Sequence, residues 1–141
     1  MFGSSTGSPR PKLPDMKFPK PKKKVKKGTL KRKADNLFSK YLRAKIPYCQ
    51  AEGKTICKCG GPLQLCHIIT RGNLRLRYDE NNCLVMCAGC HRFFTSRPFE
   101  FTEFVLTYYL EKFTYVMNHK EEKVQMKLQD YYYLIAKYET N

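Results

Sequence analysis

Acidic residues are scarce in this chain: twelve Asp and Glu stand against 27 Lys and Arg, for a formal net charge of +15. That balance disfavours basic partners and favours a polyanion such as nucleic acid. No apolar run reaches the length needed to cross a bilayer, so no membrane-spanning helix is expected. No apolar signal segment precedes the cysteines, and their number, seven, is odd. Both features argue against a secreted disulfide framework and for intracellular thiols that bind metal. Internal repeats are absent too, which leaves one small domain as the expected organisation.

The first 33 positions have almost no large apolar residues. They hold twelve Lys and Arg against a single acid, Asp15, so eleven of the fifteen net charges sit there, among prolines and a Gly/Ser-rich start. Such a segment buries too little apolar surface to offset the entropy of ordering it, and residues 1–33 are expected to be a disordered basic arm. The run Lys22, Lys23, Lys24, Lys26 and Lys27 suits sequence-independent, salt-sensitive contact with phosphates through counterion release.

The remainder reads as alternating short elements. Leu37, Phe38, Tyr41 and Leu42 recur at helical spacing, predicting a helix from Ala34 to Lys45 that Pro47 stops. Leu63 to Ile69 and Cys83 to Met86 are rich in branched apolar residues and read as two strands around a polar loop. A helix is expected from Ala88 to Ser96, and another from Phe99 to Phe113, with apolar residues at 101, 104, 105, 108 and 109. The last helix is expected to start at Asn118, with Glu121 as a capping-box partner. Its stripe is Val124, Leu128, Tyr131, Ile135 and Tyr138, expected to be core or the face of a homodimer.

Cysteine spacing supplies the first chemical signal. Cys87-Ala-Gly-Cys90 has the two-residue gap that turns both sulfurs toward one tetrahedral zinc, at the point where a helix should begin. Backbone N–H groups and the helix dipole there favour thiolates. The other two ligands must come from Cys49, Cys57 or Cys59. Interleaved with these cysteines is the order His67…Asn82…His91, at separations of fifteen and nine residues.

Together, the Cys59-Gly-Gly…Cys66-His67-Ile-Ile-Thr-Arg71 stretch and the Asn82-Cys-Leu-Val-Met-Cys87-Ala-Gly-Cys90-His91 stretch resemble the HNH endonuclease superfamily. The likeness is greatest to the NinG/Rap recombination proteins of lambdoid phages, over about residues 34–110. Those relatives carry Cys-Gln early and Cys-Gly-Gly later, which implies Cys49, Cys59, Cys87 and Cys90 as the zinc set, with Cys57 as the competitor for Cys49.

The fold implied is α+β: a small ββα-metal (His-Me finger) core stapled by structural zinc and flanked by helices, with the nuclease domain at 34–113 and a C-terminal helix at 114–141. The roles implied are His67 as general base, Asn82 as the clamp that holds the hairpin, and His91 as ligand to a catalytic Mg²⁺ or other divalent cation. Arg71 is suited to bidentate phosphate contact. The function implied is cleavage of phosphodiester bonds in DNA, in phage recombination or the processing of branched DNA, inside the cytoplasm of a bacterial host. One position departs from the pattern. Where many HNH enzymes place a metal-binding Asp or His before the base, this chain has Cys66, which strand alternation would turn away from His67.

Overall fold

The computed structural model describes residues 23–56 and 58–140. These form a small α+β unit in the order α1 (Lys27–Lys45), β1 (Leu63–His67), β2 (Cys83–Cys87), α2 (Ala88–Thr95), α3 (Pro98–Tyr108), α4 (Leu110–His119) and α5 (Leu128–Glu139). A single 3-10 turn, Glu80–Asn82, leads into β2. The strands pair antiparallel with Leu63 opposite Cys87, Leu65 opposite Val85 and His67 opposite Cys83.

Side-chain alternation along this hairpin divides the core in two. Leu63, Leu65, Cys83 and Val85 pack with Phe38 and Leu42 of α1 and Tyr138 of α5. Cys66, Leu84 and Met86 pack on the opposite side with Phe94 of α2 and Phe104 and Val105 of α3. All five residues of β2 are therefore buried, since the strand is covered on both faces. A two-stranded hairpin is marginal alone in water, and each large apolar side chain buried against it contributes about 1.5–3 kcal/mol.

Several boundaries differ from those expected from sequence, and β1 ends at His67 rather than Ile69. α1 begins at Lys27, inside the stretch assigned to the arm, and it buries Leu30 and Ala34 against Met126, Tyr131 and Ile135. Its first turn has neither a side-chain cap nor an acid, so packing on α5 holds it rather than local signals. Residues 1–22, which make up most of the arm and include Lys22, lie outside the described residues.

The single helix expected over 99–113 is two helices broken at Tyr109, whose hydroxyl donates to Gln50 O at 2.7 Å. That break places α4 across the expected 113/114 boundary. Asn118 lies in the last turn of α4 rather than capping the final helix, and α5 starts instead where Asp130 accepts from the Lys127 N–H at 2.7 Å. Tyr131, Ile135 and Tyr138 of the expected stripe are core within this chain, and Leu128 is exposed.

Candidate functional site

The knuckle is assembled by local hydrogen bonding around glycines. Gly61 has φ +84°, a conformation side chains avoid, and a Cβ on Gly89 would lie 3.3 Å from Gly60 O. Gly89 N–H donates to Gly60 O at 2.9 Å and Ala88 N–H to Pro62 O at 2.9 Å, which fastens the Cys59 loop over the start of α2. Cys49 is brought in by a residue that spacing did not flag. Gln50 exchanges bonds with Val85 of β2, its N–H donating to the carbonyl at 2.8 Å and its Oε1 accepting from the N–H at 2.7 Å.

The sulfurs of Cys49, Cys59, Cys87 and Cys90 lie within 4.8 Å of one another, and those of Cys59 and Cys90 are 3.6 Å apart. A tetrahedral zinc with bonds of about 2.3 Å sets its sulfurs roughly 3.8 Å apart, so this cluster could hold a metal such as zinc. Cys87 Sγ accepts from the N–H groups of Gly60 at 3.3 Å and Cys90 at 3.4 Å. Burial pushes the Cys87 thiol up, but those two N–H groups, together with the Cys90 and Cys49 thiols, outweigh it and bring the thiol down to about 7. Cys90, buried among the other sulfurs, is pushed up. Cys57 lies outside the described residues.

His67 ends β1 and faces a cleft of about 520 Å³ shared with His91, Arg71, Arg43 and Arg77. Its Nε2 is 3.0 Å from the carbonyl oxygen of Arg77. A carbonyl only accepts, so the proton sits on Nε2 and Nδ1 keeps a lone pair. Burial, supplemented by the Arg71 and Arg77 guanidiniums, holds His67 below its ordinary value of 6.5. The ring is therefore neutral at physiological pH, the form that takes a proton.

Asn82 is fully buried beneath this histidine's loop. Its Oδ1 accepts from Ile69 N–H at 2.7 Å, and its Nδ2 donates to Ile69 O at 2.8 Å and Leu76 O at 3.1 Å. These bonds tie the chain just after β1 to the chain just before β2. Arg77 closes the same loop from outside. Its guanidinium binds both carboxylate oxygens of Asp35 in α1, at 2.8 and 2.6 Å, and donates to Arg71 O at 2.6 Å. Neither Asp35 nor Arg77 was legible as a site residue, because their pairing spans 42 positions of sequence.

His91, in the first turn of α2, places Nδ1 2.9 Å from Gln64 Oε1. The proton is then on Nδ1 and Nε2 is left as a ligand atom, the arrangement in which a second residue orients a metal-binding imidazole. Cys66 points into the apolar core, as alternation predicts, and burial pushes its thiol up to about 12. Among the described residues no second group of three metal-ligating side chains occurs, and the carboxylate lining the cleft, Asp35, is taken by Arg77. A second ion would therefore bring most of its own ligands.

Arg71 lines the cleft with its side chain exposed. Lys23, Lys24 and Lys26 are exposed just before α1, whereas Lys27 is the first residue of that helix, with Nζ 6.0 Å from the Tyr131 ring centroid. No family model, curated protein or solved structure gives a significant match to this chain.

Proposed function

We propose that this chain is a zinc-stapled DNA endonuclease of the HNH type. The observation that carries the reading is the pair of neutral histidines on one cationic cleft. His67 is held with Nδ1 free and His91 with Nε2 free, on a hairpin and helix that adjoin a cluster of four cysteines able to hold a metal. His67 Nδ1 takes a proton from water as the oxygen attacks phosphorus, and the bond from phosphorus to the 3′-oxygen breaks. Arg71 binds the phosphate being cut. His91 offers Nε2 as the protein's ligand to Mg²⁺ or another divalent cation, whose contribution when bound is to neutralise charge on the phosphate and the leaving oxygen. Structural zinc at the cysteines holds α2, and with it His91, against the strands. The phage-like motifs favour recombination or branched DNA as the setting, with packaging and homing nucleases as neighbouring possibilities.

A second reading, a non-catalytic zinc module that binds nucleic acid, draws support from Cys66. A buried thiol stands where many HNH enzymes carry a metal ligand, and the cleft's carboxylate is occupied by Arg77. One experiment separates the two. Purified protein is incubated with supercoiled, linear, single-stranded and four-way-junction DNA in Mg²⁺, Mn²⁺ or Zn²⁺, beside a His67→Ala variant. Metal-dependent cutting that His67→Ala abolishes supports the nuclease. Wild-type protein that binds these DNAs and cuts none of them, in any metal, supports the module.

A further inference from the structure

α1 lies outside the hairpin and helix that carry the histidines, yet it forms one wall of their cleft. Asp35, Asn36, Ser39 and Arg43 all line it. Counted by charge, the lining has three guanidiniums, those of Arg43, Arg71 and Arg77, against the one carboxylate of Asp35. Asp35 is consumed by Arg77 in a two-point pair. Arg43 spends only its Nε, on Ser39 O at 3.2 Å, in the preceding turn of its own helix. The rest of its donor fork faces a space whose remaining polar groups are two hydroxyls, two amides and neutral imidazoles.

Arg43 also has company along the helix. Arg32, Asn36, Ser39 and Arg43 fall within about 60° of arc at helical periodicity, and Arg32 to Arg43 spans about 16 Å of helix. Arg32 is exposed, and the stripe continues toward the exposed Lys23, Lys24 and Lys26 at the entry to α1. A line of cations and hydroxyl or amide donors, without a free acid, suits successive phosphates of one strand. Over 16 Å of axis a B-form strand presents about five.

We infer that α1 is a nucleic-acid backbone subsite, in which Arg43 holds a phosphate next to the one at His67 and Arg32 one further along. This rests on the nuclease reading only for what lies at His67; the binding surface itself is independent of cleavage. Its role is to set the register of the strand across the histidines, with Arg43 a binding residue and not a catalytic one.

The test measures binding of a fluorescein-labelled DNA duplex by anisotropy over a series of salt concentrations. It uses the full chain with its zinc retained and no added magnesium. Arg43→Ala should weaken binding roughly tenfold, as expected for loss of a charged hydrogen bond, and lower the slope of log affinity against log salt by about 0.9, one phosphate contact. Arg32→Ala with Arg43→Ala should lower it by about twice that amount. Arg43→Lys, which keeps a point charge, should retain the slope. Lys123→Ala, which removes one exposed charge outside α1, should leave it unchanged.

A wild-type slope in Arg43→Ala overturns the inference, as does an equal loss in Lys123→Ala. Zinc content and far-ultraviolet circular dichroism confirm that each variant is folded. If wild-type protein cuts no DNA while Arg43→Ala still flattens the slope, the subsite stands and the nuclease reading falls. If wild-type protein cuts DNA and the slope is unmoved, only the subsite falls.

Discussion

The cysteine side and the histidine side of this molecule are built on the same two strands to opposite ends. On the cysteine side four sulfurs converge, three of them buried, and N–H groups of the Gly60 loop and the first turn of α2 point at Cys87. On the histidine side the polar atoms are held from behind and left open in front. Arg77 O takes one nitrogen of His67, Gln64 takes one of His91, and the other nitrogen of each ring is spare. One site is closed, as suits a structural ion; the other leaves polar atoms open to the cleft, as the proposed nuclease reading requires. The difference shows how a domain this small can divide its labour. At the knuckle the sulfurs are clustered and mostly buried, whereas the cleft is lined by three guanidiniums and by two imidazoles, each imidazole keeping one unbonded nitrogen.

The sharpest way to break that contrast is to attack the closed site. Cys87→Ser, Cys90→Ser or a strong chelator should unfold the protein, because structural zinc contributes about 10 kcal/mol or more, as much as the whole stability of a small domain. Elemental analysis should give one zinc per chain in folded protein; well-folded protein without metal would end the staple reading. Zinc should also be lost on acidification, since Cys90 and its neighbours must release protons to bind it. Cys66→Ala, in the same core but outside the cluster, should cost only about 1–2 kcal/mol and keep the zinc.

Attacking the open site should do the reverse. His67→Ala should lower cleavage by about a hundredfold to ten-thousandfold while zinc content and melting temperature hold. Loss of the fold in that variant would assign His67 to structure instead. The pH dependence follows from the sign of its shift. Burial lowers His67 below 6.5, and the neutral ring is the active form, so cleavage should fall as the solution is acidified, with its midpoint below 6.5. The same depression makes the stabilising share of a neutral His67 present above 6.5 and lost as pH falls through its folded value.

Asn82→Ala probes the link between the two sides and should hurt both. It leaves Ile69 N–H and two carbonyls without their partner in a largely buried loop, which costs about 3 kcal/mol, and it frees the loop that orients His67. A thermal melt beside a cleavage assay would test this; a variant that melts normally yet is inactive would make Asn82 a purely catalytic residue.

The mildest changes concern the basic segment. Removing residues 1–22 should flatten the salt dependence of DNA binding and leave the melting temperature alone. Extending the deletion through residue 33 should also destabilise the fold by about 2 kcal/mol or more, because Leu30 is core. Equal melting temperatures for the two deletions would show that the first turns of α1 add nothing.

Part of the site could be read from spacing alone. The Cys87 and Cys90 gap, the Cys59-Gly-Gly turn and the hairpin between positions 63 and 87 depend on local geometry, and local geometry is written in adjacent residues. So is the direction of Cys66, which follows from alternation along a strand. The start of α1 was misread because the lysines around Leu30 dominate any local reading, whereas the partner that makes Leu30 worth burying is a hundred positions away in α5. The break at Tyr109 was hidden for a similar reason: its hydroxyl is drawn to Gln50 O, 59 positions earlier.

Neighbouring residues establish which atoms are available: one thiol pair at knuckle spacing with Cys49, Cys57 and Cys59 as candidates to complete it, two histidines and an asparagine in hairpin register, and a strongly basic leading segment. How each is presented depends on contacts that exist in the folded chain alone. Arg77, fixed by Asp35 from α1, selects the protonated nitrogen of His67; Gln64 selects that of His91; Gln50 docks Cys49 beside β2. The physical reason is that ligand and proton positions are set by hydrogen bonds whose partners lie far apart along the chain, and no local pattern of residues encodes where those partners meet.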